Sequence, residues 1–216
     1  MRKVIVFLLS SIFLALSPSA HAVNVGIGFK ASTLGIGAEV GVRVAKLFGI
    51  RAVFNKYNYA RTIDNSGIEY DGKLNLQTYG VMADLYPTSK NFRLTGGILK
   101  NDNGVTATAA PTDGIEIGLS FYPGSTAGVL NGDVSFNPTT AYFGIGYGDP
   151  AWSPGRVRFL FDFGVVYQGS PGVQFTSSSS AVSAEDLQQE AAQFQDDIQA
   201  YKYWPVLSFG IGIRVF

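Results

Sequence analysis

The sequence predicts an all-β chain: an antiparallel β-barrel that crosses a membrane, most simply with eight strands, alternatively with ten, and with one amphipathic α-helix before the last strand. Three observations lead there. Between Arg156 and Gln168 every second residue is large and apolar (Val157, Phe159, Phe161, Phe163, Val165, Tyr167), while Arg156, Arg158, Asp162 and Gly164 alternate with them. Successive side chains of a strand point to opposite faces, so one face here is continuously apolar and the other carries charge. Similar strands recur along the chain and end at Phe216. The N-terminus has the form of an export signal: basic Arg2 and Lys3, an apolar run from Val4 to Leu16, and the A-x-A site Ala20-His21-Ala22. That run is too short for a spanning helix, which needs about 20 apolar residues. Without a later run of that length, only a closed barrel satisfies the backbone inside lipid.

Residues 1–22 are therefore expected to be cleaved after Ala22, leaving 23–216 as one barrel domain. Without Arg2 and Lys3 the 16 basic residues become 14 against 16 acidic ones, a net charge of −2. That balance gives no reason to expect nucleic acid as a partner. His21 is the chain's single histidine and there is no cysteine. Disulfides, lipid-anchored cysteine and thiolate metal ligands are excluded, and so is a Ser-His site in residues 23–216. No cofactor is implied.

The strands follow in order. Val25, Ile27, Phe29 and Ala31 form one apolar series, and Leu34, Ile36, Ala38, Val40, Val42 and Val44 a second. The parity switch at Ser32-Thr33 requires a tight turn or a bulge. Ile50 to Ala60 is a third strand of ambiguous register, with Ile50, Ala52 and Phe54 against Val53, Tyr57 and Tyr59. Arg61 to Gly72 reads as a polar loop. The fourth strand places Tyr79, Val81, Ala83 and Leu85 on lipid, and Phe92 to Lys100 is the fifth. Asn101 to Pro138 is too long for a structureless loop. Its apolar patch Ile115 to Tyr122 predicts a hairpin, and two further barrel strands are the alternative. Ala141 to Tyr147 and the opening stretch add two strands, and Leu207 to Val215 the last.

Between them, Gly169 to Ser180 is a polar connection. Ser183 can cap a helix with Glu185 and Asp186 in its first turn. Leu187, Ala191, Phe194, Ile198 and Tyr201 make its apolar stripe, and Pro205 is expected to stop it. Such a stripe packs on its own barrel or docks another protein.

The A-x-A signal, the opening G-I-G-F-K-A-S-T-L-G-I-G-A-E-V, the F-R-L-T-G-G turn-strand, F-x-x-D-x-G-V-x-x-Q-G-S-P and the terminal strand together resemble small outer-membrane β-barrel proteins of Gram-negative bacteria, of the OmpA/OmpX/OmpW-like kind. The resemblance implies a monomer embedded in outer-membrane lipid, delivered by the Sec translocon and the barrel assembly machinery, with Phe216 as the assembly signal. Arg214 stands where that signal usually has an apolar residue, implying a bulge or a weaker variant. Both termini and the turns at Lys46, Pro87 and Asp149 are expected on the periplasmic side, and the three long connections outside.

An eight-stranded barrel has an interior that side chains can fill. Lys30, Glu39, Arg43, Asp84, Arg156, Arg158 and Asp162 are the expected interior charges, paired with one another. Carboxylate catalysis by Glu39, Asp84 or Asp162 is the alternative. Asp64, Asn65, Glu69 and Asp71 read as a solvated loop rather than a calcium site. Tyr57, Tyr59, Tyr86, Phe92, Trp152, Tyr167, Tyr203 and Trp204 are expected to form interfacial girdles. The function this predicts is a structural or interaction protein working through its external loops. A narrow solute channel is the alternative, and a lipid-acting enzyme a third reading.

Overall fold

A computed structural model describes residues 24–65, 68–88, 90–151 and 157–215. The proposed signal with Ala20 and Ala22, together with Trp152, Arg156 and Phe216, lies outside the described residues.

Eight strands close a barrel. β1 (Asn24–Ser32), β2 (Gly35–Arg43), β3 (Phe48–Asn65), β4 (Ile68–Leu85) and β5 (Phe92–Asn101) run antiparallel in sequence order. β10 (Thr139–Tyr147), β11 (Val157–Tyr167) and β13 (Tyr203–Arg214) complete the circle, and β13 pairs with β1. The switch of parity after β1 is a two-residue turn: Ser32 faces Gly35 across Thr33-Leu34. Gly35 there takes φ +107°, a region open to glycine and costly for other residues. Leu34 does not join the lipid-facing series but is buried at the top of the lumen.

The outer face is the apolar one. Phe29, Ile36, Phe54, Val81, Ile98, Phe143, Phe159, Phe163 and Ile211 all stand exposed on it. Opposite parity is buried: Arg51, Val53 and Asn55 point inward, which resolves the register of β3 in favour of Ile50, Ala52 and Phe54 outside. Tyr57 and Tyr59 share the inward parity but lie above the closed part of the barrel, stacked 6.5 Å apart. Of the expected girdle, Phe92, Tyr167 and Tyr203 are on the outer surface, whereas Tyr86 is buried and Trp204 is turned inward, half-buried.

β3 and β4 are 18 residues each. At ~3.3 Å per residue that is roughly 60 Å, about twice what a membrane crossing needs. Residues 61–65 and 68–72, expected as loop, are thus the upper parts of two tall paired strands. β4 pairs with β5 over Thr78–Leu85, then with β6 (Gly104–Pro111) over Ile68–Asn75. At the change of partner, Asn103 Oδ1 accepts from the Gln77 amide (2.9 Å), and the Asp102 amide donates to the Gln77 carbonyl (2.8 Å). β9 (Leu130–Ser135) and β12 (Gly172–Ser177) extend the sheet beyond β6. The region 101–138 therefore supplies no barrel strands. It builds a head, which includes the hairpin β7 (Ile115–Ile117) and β8 (Ser120–Tyr122) and a single helical turn, α1 (Gly124–Ala127).

α2 (Ala184–Asp197) lies over this sheet, with Phe194 edge-on to Phe175 of β12 (5.9 Å). Ser183 caps it by accepting from the Asp186 amide. The Asp186 carboxylate accepts from the hydroxyls of Tyr122 (2.5 Å) and Ser183 (2.9 Å), which hold its pKa below the ordinary carboxylate value. The stabilisation this gives is full above the unfolded-chain pKa and is lost as pH falls through the lowered one. Helix α2 ends before Pro205, passing through a 3-10 turn (Gln199–Lys202) into β13. Pro205 sits inside that strand, beyond the end of β1, where one side of β13 has no ladder partner. There its missing N–H costs no sheet bond, and its carbonyl accepts from Thr33 Oγ1 (2.7 Å). The register of β13 on β1 runs unbroken to Arg214, so no bulge occurs before Val215.

A charge on the outer band should oppose insertion, at about 2–4 kcal/mol near the membrane midplane. Phe163→Arg is expected to reduce the fraction that migrates as the compact, heat-modifiable form on gels. Leu119→Arg, on the head, should leave that fraction unchanged.

Candidate functional site: a filled lumen beneath an apolar head

Inward parity on six of the strands brings charge to one level of the lumen. Arg51 of β3 is at its centre. Its Nε and Nη2 bind Asp84 Oδ2 and Oδ1 at 2.6 and 3.0 Å, and its Nη1 binds Glu39 Oε2 at 2.7 Å. Lys30 reaches the same Glu39 oxygen at 3.1 Å. Arg93 Nη2 binds Asp162 Oδ1 at 2.7 Å, and Asp162 also lies 3.4 Å from Arg51. Thr95 donates to Asp84 Oδ1 at 2.6 Å. Three cations thus meet three carboxylates, all buried. Burying an ion is costly unless an opposite charge and further hydrogen bonds compensate it. Here the two signs balance.

Nearer the short-turn end, Arg43 binds Asp149 Oδ2 at 2.6 Å and stacks over the Tyr86 ring at 3.4 Å. Asp149 Oδ1 accepts from the Ala151 amide (2.8 Å), which folds the β10–β11 turn into the barrel. Pro150 then touches three strands. A Cβ on Gly26 would meet its carbonyl at 2.1 Å, and on Gly212 or Gly41 its ring at 2.9 or 3.1 Å. This turn closes the base of the lumen.

Toward the head the filling becomes apolar. Leu34, Val53, Met82, Leu99, Tyr142, Val166 and Val206 form one buried cluster with Trp204 packed against it.

Of the expected interior charges, Lys30, Glu39, Arg43, Asp84 and Asp162 stand in these layers. Arg158 is half-buried on β11. Sequence reasoning missed Arg51, Arg93 and Asp149. Alternation in Phe92-Arg93-Leu94-Thr95 carries the signal for Arg93, since Phe92 and Leu94 face lipid. Asp149 sits in a turn, where no periodicity applies. Of the polar loop set, the side chains of Asp64, Asn65 and Glu69 lie outside those described, and Asp71 accepts from Thr62.

The head holds the open space. An open cleft of about 690 Å³ lies beside Lys73, Asn75, Thr106 and Asp133. An apolar cavity of about 250 Å³ lies between the sheet (Leu74, Val105, Val134) and Phe194 and Ile198 of the helix segment. A second of about 340 Å³ crosses the β1–β2 turn. Both cavities are walled by Leu74, Leu76 and Trp204.

No family model and no curated protein matches the chain. Solved structures do. The chain is 18% identical to CarO2 of Acinetobacter baumannii, with 90% of this chain and 100% of that one covered and a TM-score of 0.60. It is 22% identical to CarO of the same organism, with 88% and 97% covered and a TM-score of 0.57.

Removing Arg51 would leave the buried network one cation short, with Glu39 held by Lys30 alone and Asp84 stripped of its two-pronged partner, a loss of about 3–5 kcal/mol. Arg51→Ala is expected to lower the melting temperature in micelles sharply, and Lys202→Ala hardly at all. Arg51→Met combined with Asp84→Leu should cost less than the sum of the two single changes, a coupling that a double-mutant cycle measures. The chain has the closed, eight-stranded antiparallel β-barrel fold of outer-membrane proteins, shared with these two structures.

Proposed function

We propose that this chain is an outer-membrane protein of a Gram-negative cell whose lumen conducts nothing and whose working surface is the head. The observation that carries the reading is the balanced ion network across the lumen, closed below by Asp149 to Ala151 and above by the apolar cluster. A water-filled channel needs polar groups that face solvent, whereas these are buried and paired. That favours a closed barrel over the narrow channel. The lumenal carboxylates are held by guanidinium groups, and residues 23–216 have no histidine to serve as a base, which favours an interaction role over catalysis.

In this reading residues 1–22 are removed on export through the Sec translocon. The barrel assembly machinery reads a signal that includes Phe216, and the monomer sits in outer-membrane lipid. The short turns at Lys46, Pro87 and Asp149 are periplasmic and the head faces outward, where functional loops and their partners meet.

In planar bilayers the purified protein is expected to give no steady conductance. Stable, ion-selective openings from the unmodified chain would overturn the closed-lumen reading and favour the channel.

A further inference from the structure

We propose that the head binds one acyl chain of an anionic membrane lipid, which enters sideways over the β1–β2 turn. The barrel wall is short there. Two residues, Thr33 and Leu34, join β1 to β2, while neighbouring β3 continues as a tall hairpin. The 340 Å³ cavity spans this saddle. Its outer wall is Ala31 and Ile36, members of the lipid-facing band, Ile36 being 72% exposed. Its inner wall is Leu74, Leu76 and Trp204, and those same residues open the 250 Å³ cavity beneath α2. One apolar gutter thus runs from the membrane face into the head. Its far end is lined by Val105 and Phe194, large apolar side chains still 38% and 39% exposed above the membrane. Apolar surface left open in this way marks a binding groove, and each cavity is of a size with the smaller ligand sites, roughly 300 Å³ and upward.

The occupant follows from what the gutter joins. It is continuous with the lipid interface, so its natural ligand is already in the bilayer. An acyl chain supplies a flexible apolar body without polar groups to desolvate. At the mouth Lys56, paired across the ladder with Ile36, is exposed and forms no ion pair among the described residues. In this proposal its ammonium pairs with the head group of an anionic lipid whose chain bends over the turn.

The inference rests on the head being the working surface. Conductance tests the closed lumen separately, so either reading can fail without the other. The experiment is photocrosslinking of the full chain in phosphatidylglycerol vesicles, with p-benzoyl-phenylalanine installed at position 194. Phe194 sits in the head, away from the bilayer, so a lipid adduct there reports a chain that has travelled the gutter. The expected adduct yield is at least tenfold that from the same probe at Leu119, which is 82% exposed on the head outside the gutter. Leu74→Arg should reduce the yield severalfold, with folding checked by heat-modifiable mobility. Lys56→Glu, at an exposed site, should lower it in phosphatidylglycerol but not in phosphatidylcholine vesicles. Equal yields at positions 194 and 119 would overturn the proposal. So would adducts formed only from free fatty acid added to lipid-free micelles, since that would place the ligand's source in solution.

Discussion

Charges buried among side chains must be neutralised, and Arg51 is where this barrel does so. Its planar fork offers donors in two directions, toward Asp84 on one side and Glu39 on the other. A lysine could satisfy one of those partners but not the pair with the same geometry. The remaining members are arranged by that choice: Lys30 adds a second cation to Glu39 Oε2, Arg93 pairs with Asp162, and Thr95 fills a further lone pair on Asp84. Small residues make the arrangement fit. Gly146 lies against the Arg93 guanidinium, where a Cβ would come within 2.7 Å of its Nε. Charge inside and glycine inside are two sides of one packing solution.

The parts of the fold that were legible in sequence are those in lipid. A strand with one face in hydrocarbon must keep that face apolar along its whole length, and β1, β2, β10, β11 and β13 show it without interruption. Legibility fails where the membrane ends. Above Asn55 both faces of β3 are exposed, so Tyr57, Asn58 and Tyr59 obey no alternation and the strand reads as if its register were broken. The head strands β6, β9 and β12 are short, polar and rich in small residues, and resemble loop. Pro205 signals a helix stop by its chemistry, yet it is tolerated in β13 because β1 has already ended beside it. Within the lumen, side chains on strands of clear parity could be placed from sequence. Arg51 lay on the strand whose register was ambiguous, and its partnership with residues up to 111 positions away is a property of closure rather than of any local pattern.

The head is not an appendage on a flexible tether. Its sheet is built on the upper halves of β3 and β4, the same strands that form the barrel wall below. Asn103 covers the point where β4 exchanges one neighbour for another, so the backbone there stays hydrogen-bonded through the exchange. A continuous ladder of this kind carries the orientation of the wall directly into the head, and α2 is laid across it by Phe194 and by the Tyr122–Asp186 contact.

The β10–β11 turn also changes what the β1–β13 seam is made of. In an open sheet those two strands would be joined by their backbone ladder alone. Here Pro150 is lodged against Gly26 of one and Gly212 of the other, and Arg43 of β2 anchors the residue before it. The first and last strands of the barrel are therefore pinned together by a wedge from a third place in the chain. The joint where a circular wall must be welded shut has a keystone, and the two glycines that accommodate it, Gly26 and Gly212, belong to the seam as much as the hydrogen bonds do.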